Sequence, residues 1–260
     1  ITDLRQAIEK DQFVIYYQPV YDMAEQRVNG AEVLLRWDYP KSGLMLPVEF
    51  LPLAEEIGLG EYVEEWVIKS VCQQISLWQT TKLKNQRLWV NISEKQLNQP
   101  NFHKKIEQYV REYSINPQLL EFEISENTLM KDDTTYESAL RKLKKLGIRL
   151  AIDHFSNNYS AIGKIANTTF DTLKIDRHFM RNILSNPAQQ IVLEGIIRIA
   201  QELRMEIIIE GVETTEQIHF VQKFGSFPIQ GWAISSALTR EEYETFIPNI
   251  HFPLDASQLN

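Results

Sequence analysis

Short apolar segments alternate with amphipathic helical segments along almost the whole chain, and this alternation restricts the fold more than any other feature. The segments typical of strands cover residues 13–17, 28–37, 88–93, 119–125, 148–152, 172–175, 206–209 and 227–231. The segments between them, such as 62–78 and 187–203, place apolar residues three or four positions apart, as amphipathic helices do. Eight strands that alternate with helices predict an α/β fold, a (β/α)8-type barrel in one domain over residues 1–260. A doubly wound open sheet is the alternative.

The composition of the chain narrows the class of ligand. A formal net charge of −8 leaves no broad basic face, so polymeric nucleic acid is not an expected partner. A small anionic ligand remains compatible with this charge if metal ions offset its negative groups. Neither standard type of glycine-rich phosphate loop is present. The single cysteine, Cys72, excludes an internal disulfide and is expected to be a buried structural thiol.

No apolar run reaches the roughly 18 residues that a membrane span requires, and no signal peptide is visible. We therefore expect a cytoplasmic domain. The chain begins at Ile1 rather than at methionine, so we expect it to be an excised part of a longer protein. A membrane anchor elsewhere in that longer protein is compatible with this expectation.

A buried parallel strand is predicted over residues 148–152, and it ends abruptly in Asp153 and His154. In α/β folds the chemically active side chains follow the carboxyl ends of the strands. The ends of other predicted strands also carry polar side chains, and the full set is Glu32, Asn91, Glu123, Asp153, Lys174, Glu210 and Gln230. If the strands are parallel neighbours, these side chains converge on one site.

Four of these seven side chains are carboxylates, and such a cluster does not ionise readily unless cations lie among its members. Carboxylate and amide oxygens suit hard cations such as Mg2+ or Mn2+. Two such ions about 3.5–4 Å apart can activate a water molecule and stabilise the leaving oxygen of a phosphodiester. Lys174 adds a positive charge that would face the negative charge developing in the reaction.

Glu32-Val33-Leu34 resembles the Glu-Ala-Leu signature of the EAL domain family, and further blocks similar to that family occur in the same order. They are Tyr17-Gln-Pro19, Gly30-Ala-Glu-Val-Leu-Leu-Arg-Trp37, Val90-Asn-Ile-Ser93, Glu121-Phe-Glu-Ile-Ser-Glu126, Leu173-Lys-Ile-Asp176, Glu210-Gly-Val-Glu-Thr214 and Gln230-Gly231. The resemblance covers almost the whole chain. It implies cyclic di-GMP as the ligand, a barrel whose first strand runs antiparallel to the rest, and metal-dependent phosphodiesterase activity that yields linear pGpG.

The resemblance also implies roles for individual residues. The ligands of a first metal ion would be Glu32, Asn91, Glu123 and Asp153, with Asp153 bridging to a second ion. Lys174 would lie near the attacking water, Glu210 would be the general base, and Gln230 would contact the metal and water site. The expected contacts to the dinucleotide come from Gln18, Leu34, Arg36, Asp176 and Glu213. Glu126 would brace the loop after residue 152, while a simpler interpretation of Asp176 and Glu213 is that they cap helices or lie in loops.

The segment Asp153-His-Phe-Ser-Asn-Asn158 departs from the family pattern, which is Asp-Asp-Phe-Gly-Thr-Gly in active members. His154 takes the place of a ligand of the second metal, and Ser156 and Asn158 replace glycines. A neutral imidazole can bind Mn2+, Fe2+ or Zn2+ but suits Mg2+ poorly. The hypothesis is that the second metal site is weakened or has changed its metal preference. The alternative is that His154 faces solvent and binds no metal.

Three functions remain open after this departure. The first is hydrolysis of cyclic di-GMP, at a reduced rate. The second is a receptor module that binds the dinucleotide without cleaving it, and the third is a protein-interaction domain that binds no nucleotide. Because the family uses the altered loop to link dimer partners, we expect a homodimer. We also expect a regulatory or cyclase-like domain in the full-length protein.

Overall fold

The structure is a computed structural model that describes residues 2–131, 134–155, 163–165 and 170–247. Its strands are β1 (Phe13–Asp22), β2 (Arg27–Tyr39), β3 (Gly43–Met45), β4 (Arg87–Asn91), β5 (Leu120–Ser125), β6 (Arg149–Phe155), β7 (Thr172–Ile175), β8 (Glu206–Ile209) and β9 (Pro228–Ile229). All eight predicted strands are present, and β3 is an additional short strand.

Eight of these strands close into a barrel. The strands β2, β4, β5, β6, β7, β8 and β9 are parallel neighbours in that order. β1 lies between β9 and β2 and runs antiparallel to both, which closes the ring. β3 pairs with the end of β2 and lies outside the ring. The predicted barrel and its antiparallel first strand are confirmed, and the open-sheet alternative is wrong.

The helices are α1 (Thr2–Glu9), α2 (Pro47–Glu56), α3 (Gly60–Trp78), α4 (Glu94–Leu97), α5 (Phe102–Glu112), α6 (Glu126–Leu129), α7 (Thr134–Lys145), α8 (Pro187–Glu202), α9 (Thr215–Gln222) and α10 (Arg240–Phe246). The sequence did not predict α4 and α6, because a four-residue helix is too short to show a helical period. The altered segment 156–158 lies outside the described residues.

Polar caps end several strands and start the next helix. Ser93 follows β4 and accepts a hydrogen bond from the backbone N–H of Gln96, while Ser125 at the end of β5 accepts one from Thr128. Each cap satisfies a backbone donor that the first turn of a helix leaves without a partner. The chain therefore turns away just beyond the carboxyl end of the strand, and the side chains at that end remain at the mouth of the barrel.

A small apolar layer fills the middle of the barrel. It consists of Val20, Trp89, Ala151 and Ile208, all of which are fully buried. Trp89 fits because Gly30 on the neighbouring strand has no side chain: a Cβ there would lie 2.5 Å from the indole ring. The larger apolar core lies outside the barrel, between the strands and the surrounding helices. Polar chemistry inside the barrel is thus confined to its two ends.

Two expectations from composition can be compared with the structure. Within the described ranges, no helix has both the length and the apolar character that crossing a membrane requires. Cys72 lies in α3 and is fully buried, and burial raises the pKa of its thiol to about 12. The thiol is therefore an unreactive part of the core, as predicted.

Candidate active site

The candidate site lies at the carboxyl ends of the barrel strands. Residues two apart share a face of a strand, so the interior Trp89 places Asn91 on the inner face of β4, and Ala151 places Asp153 on that of β6. All seven residues that the sequence predicted at strand ends meet there: Glu32, Asn91, Glu123, Asp153, Lys174, Glu210 and Gln230. Side chains up to 198 positions apart in the chain are in contact at this point.

Lys174 stands at the centre of the group, with 1% of its side chain exposed. Its Nζ lies 2.5 Å from Glu123 Oε1 and 2.8 Å from Glu210 Oε1. It also lies 2.9 Å from Glu32 Oε2 and 3.8 Å from Asp153 Oδ1. A buried ammonium is costly without such partners, so the four carboxylates explain why a lysine is stable inside the barrel.

Two amide side chains hold the carboxylates in place. Asn91 Nδ2 donates to Glu123 Oε2 at 3.1 Å and lies 3.5 Å from Glu32 Oε1. Gln230 Nε2 donates to Glu32 Oε2 at 2.8 Å. The Oε1 atom of Gln230 is buried and has no hydrogen-bond partner among the described residues. Gln230 Oε1 can therefore still accept a hydrogen bond or bind a cation.

The group carries more negative than positive charge, and its pKa values reflect this. Burial raises the pKa of Glu123 well above its usual range, although Lys174 opposes the rise. Burial alone would lower the pKa of Lys174, but the surrounding carboxylates outweigh it and raise that pKa. Burial would raise the pKa of Asp153, but Lys174 and His154 outweigh it and lower that pKa. Lys174 therefore stays protonated, and the carboxylates compete for a single buried cation.

Glu210 differs from a typical surface glutamate. Burial raises its pKa to about 7, with Lys174 opposing the rise and Asp153 and Glu32 adding to it. A carboxylate whose pKa lies close to the working pH is well suited to accept a proton in a reaction. The general-base role that the family resemblance implies for Glu210 stays a prediction.

His154 lies beside Asp153 at the edge of the group. Its φ of +55° is in the left-handed region, and its backbone N–H donates to Asp153 Oδ1 at 2.8 Å. Its Nδ1 lies 2.5 Å from Asp153 Oδ2, and this contact raises the pKa of the imidazole to about 9, although burial opposes the rise. The side chain remains 63% exposed. His154 is therefore both in contact with the carboxylate group and open to solvent.

The residues present fit divalent cations at two places. Glu32 Oε1 and Glu123 Oε2 both face the amide of Asn91, and Lys174 contacts the other oxygen of each carboxylate. Carboxylate and amide oxygens of this kind are the donors that hard cations prefer. At the second place, Asp153, His154 and Glu210 each offer one ligand atom, and these atoms lie within 4.8 Å of one another.

The group opens into a cavity of about 470 Å3. The residues lining the cavity are Gln18, Glu32, His154, Arg177, Arg181, Glu210, Gly211, Glu213, Gln230, Gly231 and Trp232. Sequence reasoning missed Arg177, Arg181 and Trp232. Arg177 directly follows Asp176, and Trp232 directly follows Gly231, so extending two recognised motifs by one residue would have found them. Arg181 lies in a turn that carries no sequence signal.

The residues predicted to bind the dinucleotide occupy different places. Gln18 and Glu213 line the cavity, as noted above. Leu34 and Arg36 lie on the same face of β2 as Glu32, farther along the strand, and the Arg36 guanidinium lies 5.8 Å from the centre of a tyrosine ring. Asp176 is buried and accepts a hydrogen bond from the backbone N–H of His178 at 2.7 Å. It thus caps a short 3-10 helix, which is the simpler of its two interpretations.

Glu126 is buried in the first turn of α6, directly after β5. The loop that it was predicted to brace includes residues 156–162, which lie outside the described part of the chain. The bracing role stays a prediction.

Comparison with known proteins agrees with this geometry. The family described as "EAL domain" matches residues 1–237. The chain is 32% identical over 243 residues to the cyclic di-GMP phosphodiesterase PdeR of Escherichia coli, which covers 94% of this chain and 36% of PdeR. It is 30% identical over 248 residues to the cyclic di-GMP phosphodiesterase PA2567 of Pseudomonas aeruginosa, covering 95% of this chain and 42% of that protein.

A solved structure described as the PaMucR phosphodiesterase in complex with c-di-GMP has the same fold. It superposes with a TM-score of 0.87 at 31% sequence identity, and the match covers 93% of this chain and 98% of that one. By contrast, the chain spans about a third of the length of the curated relatives that it matches, between 28% and 42%. Those relatives therefore contain further segments beyond the matched domain.

Proposed function

Because the chain belongs to the EAL domain family, we propose that it binds cyclic di-GMP and hydrolyses it to linear pGpG with the help of divalent metal ions. The observation that carries the proposal is the grouping of four carboxylates around Lys174 at the mouth of one cavity. Such a group favours the binding of dications, and two dications can stabilise both the attacking and the leaving oxygen of a phosphodiester.

The lining of the cavity supports binding of a cyclic dinucleotide. Arg177 and Arg181 supply guanidinium groups, whose planar donors match phosphate oxygens. Trp232 is 74% exposed and offers a flat surface on which a purine base can stack. Stacking of this kind contributes about 1–3 kcal/mol per base in proteins that bind single strands. The arginine side chains would thus contact the phosphates, and Trp232 would contact a base, within the same cavity.

In the proposed reaction, the residues that would hold metal ions are Glu32, Asn91, Glu123 and Asp153, with His154 and Glu210 beside them. Bound dications polarise phosphoryl oxygens and lower the pKa of water. Glu210, which lies beside Lys174 at the mouth of the cavity, would accept the proton of the attacking water. Lys174 remains an ammonium and faces the negative charge that develops on the phosphoryl group.

In the proposed reaction, one phosphorus–oxygen bond forms and one breaks. The water oxygen forms a bond to phosphorus while the bond from phosphorus to the ribose 3′ oxygen breaks. One proton of the water passes to Glu210, and the leaving oxygen takes up a proton to become a hydroxyl group. The product is the linear dinucleotide pGpG, which carries a terminal phosphate. No oxidant or second substrate is needed.

A second candidate function is that of a cyclic di-GMP receptor that does not cleave its ligand. The observation that favours it is His154, which stands where active members of the family have an aspartate. The loss of one carboxylate affects the second metal position, while the arginine and tryptophan side chains that would contact the dinucleotide still line the cavity. Binding could therefore persist in a chain whose turnover is low.

The proposal extends to the context of the domain. We infer that the chain is one domain of a longer signalling protein, combined with a regulatory or cyclase-like domain, and that it acts in the cytoplasm as a homodimer. The support comes from relatives such as MucR of Pseudomonas aeruginosa, a bifunctional diguanylate cyclase and cyclic di-GMP phosphodiesterase, of which the matched part is 35%. Sedimentation at several protein concentrations tests the dimer, and a single monomeric species throughout would overturn it.

The deciding experiment measures turnover and binding in the same samples. Purified chain is incubated with cyclic di-GMP in Mg2+, Mn2+ or Ca2+, and linear product is followed by chromatography while binding is followed by calorimetry. Product in Mg2+ or Mn2+ that disappears in Glu32→Ala establishes the phosphodiesterase. Binding in every buffer without product establishes the receptor. Absence of binding in all three buffers overturns both functions and leaves the interaction domain.

A further inference from the structure

We propose that Asp153, His154 and Glu210 form a metal site with mixed nitrogen and oxygen donors that selects transition-metal dications over Mg2+. The inference rests on the proposed function, because it assigns the class of metal at the same site. It goes beyond that function, because it makes His154 a ligand rather than a lost carboxylate. The distinguishing feature of the altered loop then becomes a change of metal and not a loss of metal.

The first support is geometric. One ligand atom from each of Asp153, His154 and Glu210 lies within 4.8 Å of the other two, close enough that small side-chain movements would bring all three to one cation. The left-handed backbone at His154 turns its imidazole back over the Asp153 carboxylate, where Nδ1 lies 2.5 Å from Oδ2. A cation between these atoms would replace the proton that they now share.

The second support is an unused donor in the same cavity. Gln230 is 4% exposed and lines the cavity together with His154 and Glu210. Its Oε1 is buried and has no hydrogen-bond partner in the described ranges. A buried amide oxygen without a partner is unfavourable unless something binds it. A cation, or a water molecule on that cation, would supply the missing partner.

The third support is the chemistry of the donor set. Imidazole nitrogen suits Mn2+, Fe2+, Co2+ and Zn2+, whereas Mg2+ prefers six oxygens in a nearly ideal octahedron. The affinity of a given nitrogen and oxygen site rises from Mn2+ through Co2+ in the Irving–Williams order. The Glu32, Asn91 and Glu123 corner contains carboxylate and amide groups, whose oxygens suit Mg2+. Two neighbouring sites with different metal preferences are therefore expected.

His178 provides a matched control within the chain. Its Nδ1 contacts the carboxylate of Asp176, which precedes it by two residues, and its side chain is 63% exposed, equal to that of His154. It therefore has the same imidazole–carboxylate contact and the same exposure. The cluster of three possible ligands found among the described residues contains His154 and not His178. Any effect of a general loss of imidazole or of surface charge should appear equally in both alanine variants.

The test measures metal binding without nucleotide. The wild-type chain and the variants His154→Ala, His154→Asp and His178→Ala are freed of metal with a chelator and titrated with Mg2+, Mn2+ or Co2+. Calorimetry gives the number of bound ions, and the visible absorption spectrum of Co2+ reports nitrogen ligation. Circular dichroism confirms that each variant is folded.

The wild-type chain and His178→Ala should bind two Mn2+ or Co2+ ions but one Mg2+ ion. His154→Ala should lose one Mn2+ or Co2+ site, with affinity falling at least about 10- to 100-fold, because even groups that only support a ligand have effects of that size. His154→Asp should gain a second Mg2+ site and lose the nitrogen signature in the Co2+ spectrum. Unchanged stoichiometry, affinity and Co2+ spectrum in His154→Ala would overturn the proposal.

Failure of this inference and failure of the proposed function remain distinguishable. If His154→Ala binds metal like wild type while wild type cleaves cyclic di-GMP, the metal assignment is wrong and the phosphodiesterase stands. If wild type binds Co2+ through His154 but yields no product with any metal, the metal site stands and the receptor function replaces the phosphodiesterase.

Discussion

The interior of the barrel carries a cluster of charged side chains at each end, and the two clusters differ in their balance of charge. The carboxyl-end cluster consists of Lys174 with Glu32, Glu123, Asp153 and Glu210. The amino-end cluster consists of Arg87, Glu121, Arg149 and Glu206. The apolar layer around Trp89 lies between them. Because β5, β6 and β8 each carry a residue of both clusters, one at either end, the comparison holds the fold constant.

The amino-end cluster is neutral, although Glu121 Oε1 is buried without a hydrogen-bond partner among the described residues. Glu206 Oε2 accepts a hydrogen bond at 2.7 Å from each of Arg87 and Arg149. Glu121 Oε2 accepts from Arg149 at 2.9 Å and from Arg87 at 3.3 Å. Two guanidinium groups thus meet two carboxylates, and the charges cancel within the protein. A cluster of this kind requires no external ion.

The carboxyl-end cluster sets the Lys174 ammonium and the imidazole of His154 against four carboxylates, so its charge does not cancel while all four are ionised. The raised pKa values of Glu123 and Glu210 express this excess, since burial near like charges favours the protonated forms. The difference shows that buried charge alone does not identify a functional site. An excess of buried negative charge does identify such a site, because cations from solution must bind there to balance it.

The largest expected effect separates two glutamates at opposite ends of β8. Glu206 starts β8 in the amino-end cluster, and Glu210 directly follows β8 in the carboxyl-end cluster. We expect Glu210→Gln to lower kcat for cyclic di-GMP by about 10²- to 10⁴-fold, because it removes the group that accepts a proton. The matched variant Glu206→Gln should keep kcat within a few-fold and lower thermal stability. Equal loss of kcat in both folded variants would show that the two clusters do not differ in function.

The second prediction concerns stability and uses β5, which supplies Glu121 and Glu123, both 0% exposed. In metal-free protein, Glu121→Gln should lower the free energy of unfolding by about 3 kcal/mol, because it leaves two guanidinium groups with one carboxylate. That corresponds to a melting temperature lower by about 6–12 °C. Calorimetric melting of the two variants in chelator measures the difference.

Glu123→Gln should cost less than about 1 kcal/mol under the same conditions, because burial already disfavours the charged form of Glu123. Lys174 would keep Glu32 at 2.9 Å and Glu210 at 2.8 Å. If Glu123→Gln destabilises the metal-free protein as much as Glu121→Gln does, the carboxyl-end cluster does not carry an excess of negative charge.

The third prediction concerns metal. Mn2+ at about 100 times its dissociation constant should stabilise the folded chain by about 2.7 kcal/mol, since it binds the folded state selectively. The melting temperature should rise by about 5–10 °C, and excess chelator should reverse the rise. Glu121→Gln should keep the full rise, because it alters the amino-end cluster. Glu123→Gln should lose most of it. An equal rise in melting temperature in both variants would show that Mn2+ binds outside the carboxyl-end cluster.

Strand periodicity was sufficient to predict the carboxyl-end cluster. Seven polar residues at predicted strand ends were expected to meet, and all seven do, because parallel strands that alternate with helices end on the same side of a barrel. The same reasoning, carried two to four residues back along each strand, would have found Arg87, Glu121, Arg149 and Glu206 at the other end. Those four residues stand at or near the starts of strands, whereas α/β folds place their chemistry at the carboxyl ends.

Other features could not be predicted from the residues. Closure of the barrel depends on β1 pairing with β9, and this pairing joins segments more than 200 positions apart. The strand β3 has three residues, too few to show alternation. Arg181 lies in a turn outside the strands, so no period places it at the cavity. Periodicity predicts what regular elements present, and it is silent about turns and about the strand that closes the ring.

The smallest expected effect is a pH dependence of stability that belongs to the carboxyl-end cluster alone. In metal-free protein, the contact with Asp153 raises the pKa of His154 from 6.5 to about 9. The folded state therefore binds more protons than the unfolded state between these values, and the stabilisation is complete below 6.5 and lost as pH rises through about 9. The melting temperature of wild type minus that of His154→Ala should thus fall steadily between about pH 6 and about pH 10.

The decisive quantity is how the melting-temperature difference between wild type and His154→Ala changes with pH. Alanine at the left-handed φ of residue 154 adds a strain that does not depend on pH, so it shifts the difference by a constant. Because 63% of the imidazole is exposed, solvent screens the contact and the effect stays small. Saturating Mn2+ should abolish the pH dependence, since a cation would then occupy the position of the shared proton. A difference that is flat with pH in chelator would show that His154 and Asp153 are not coupled in solution.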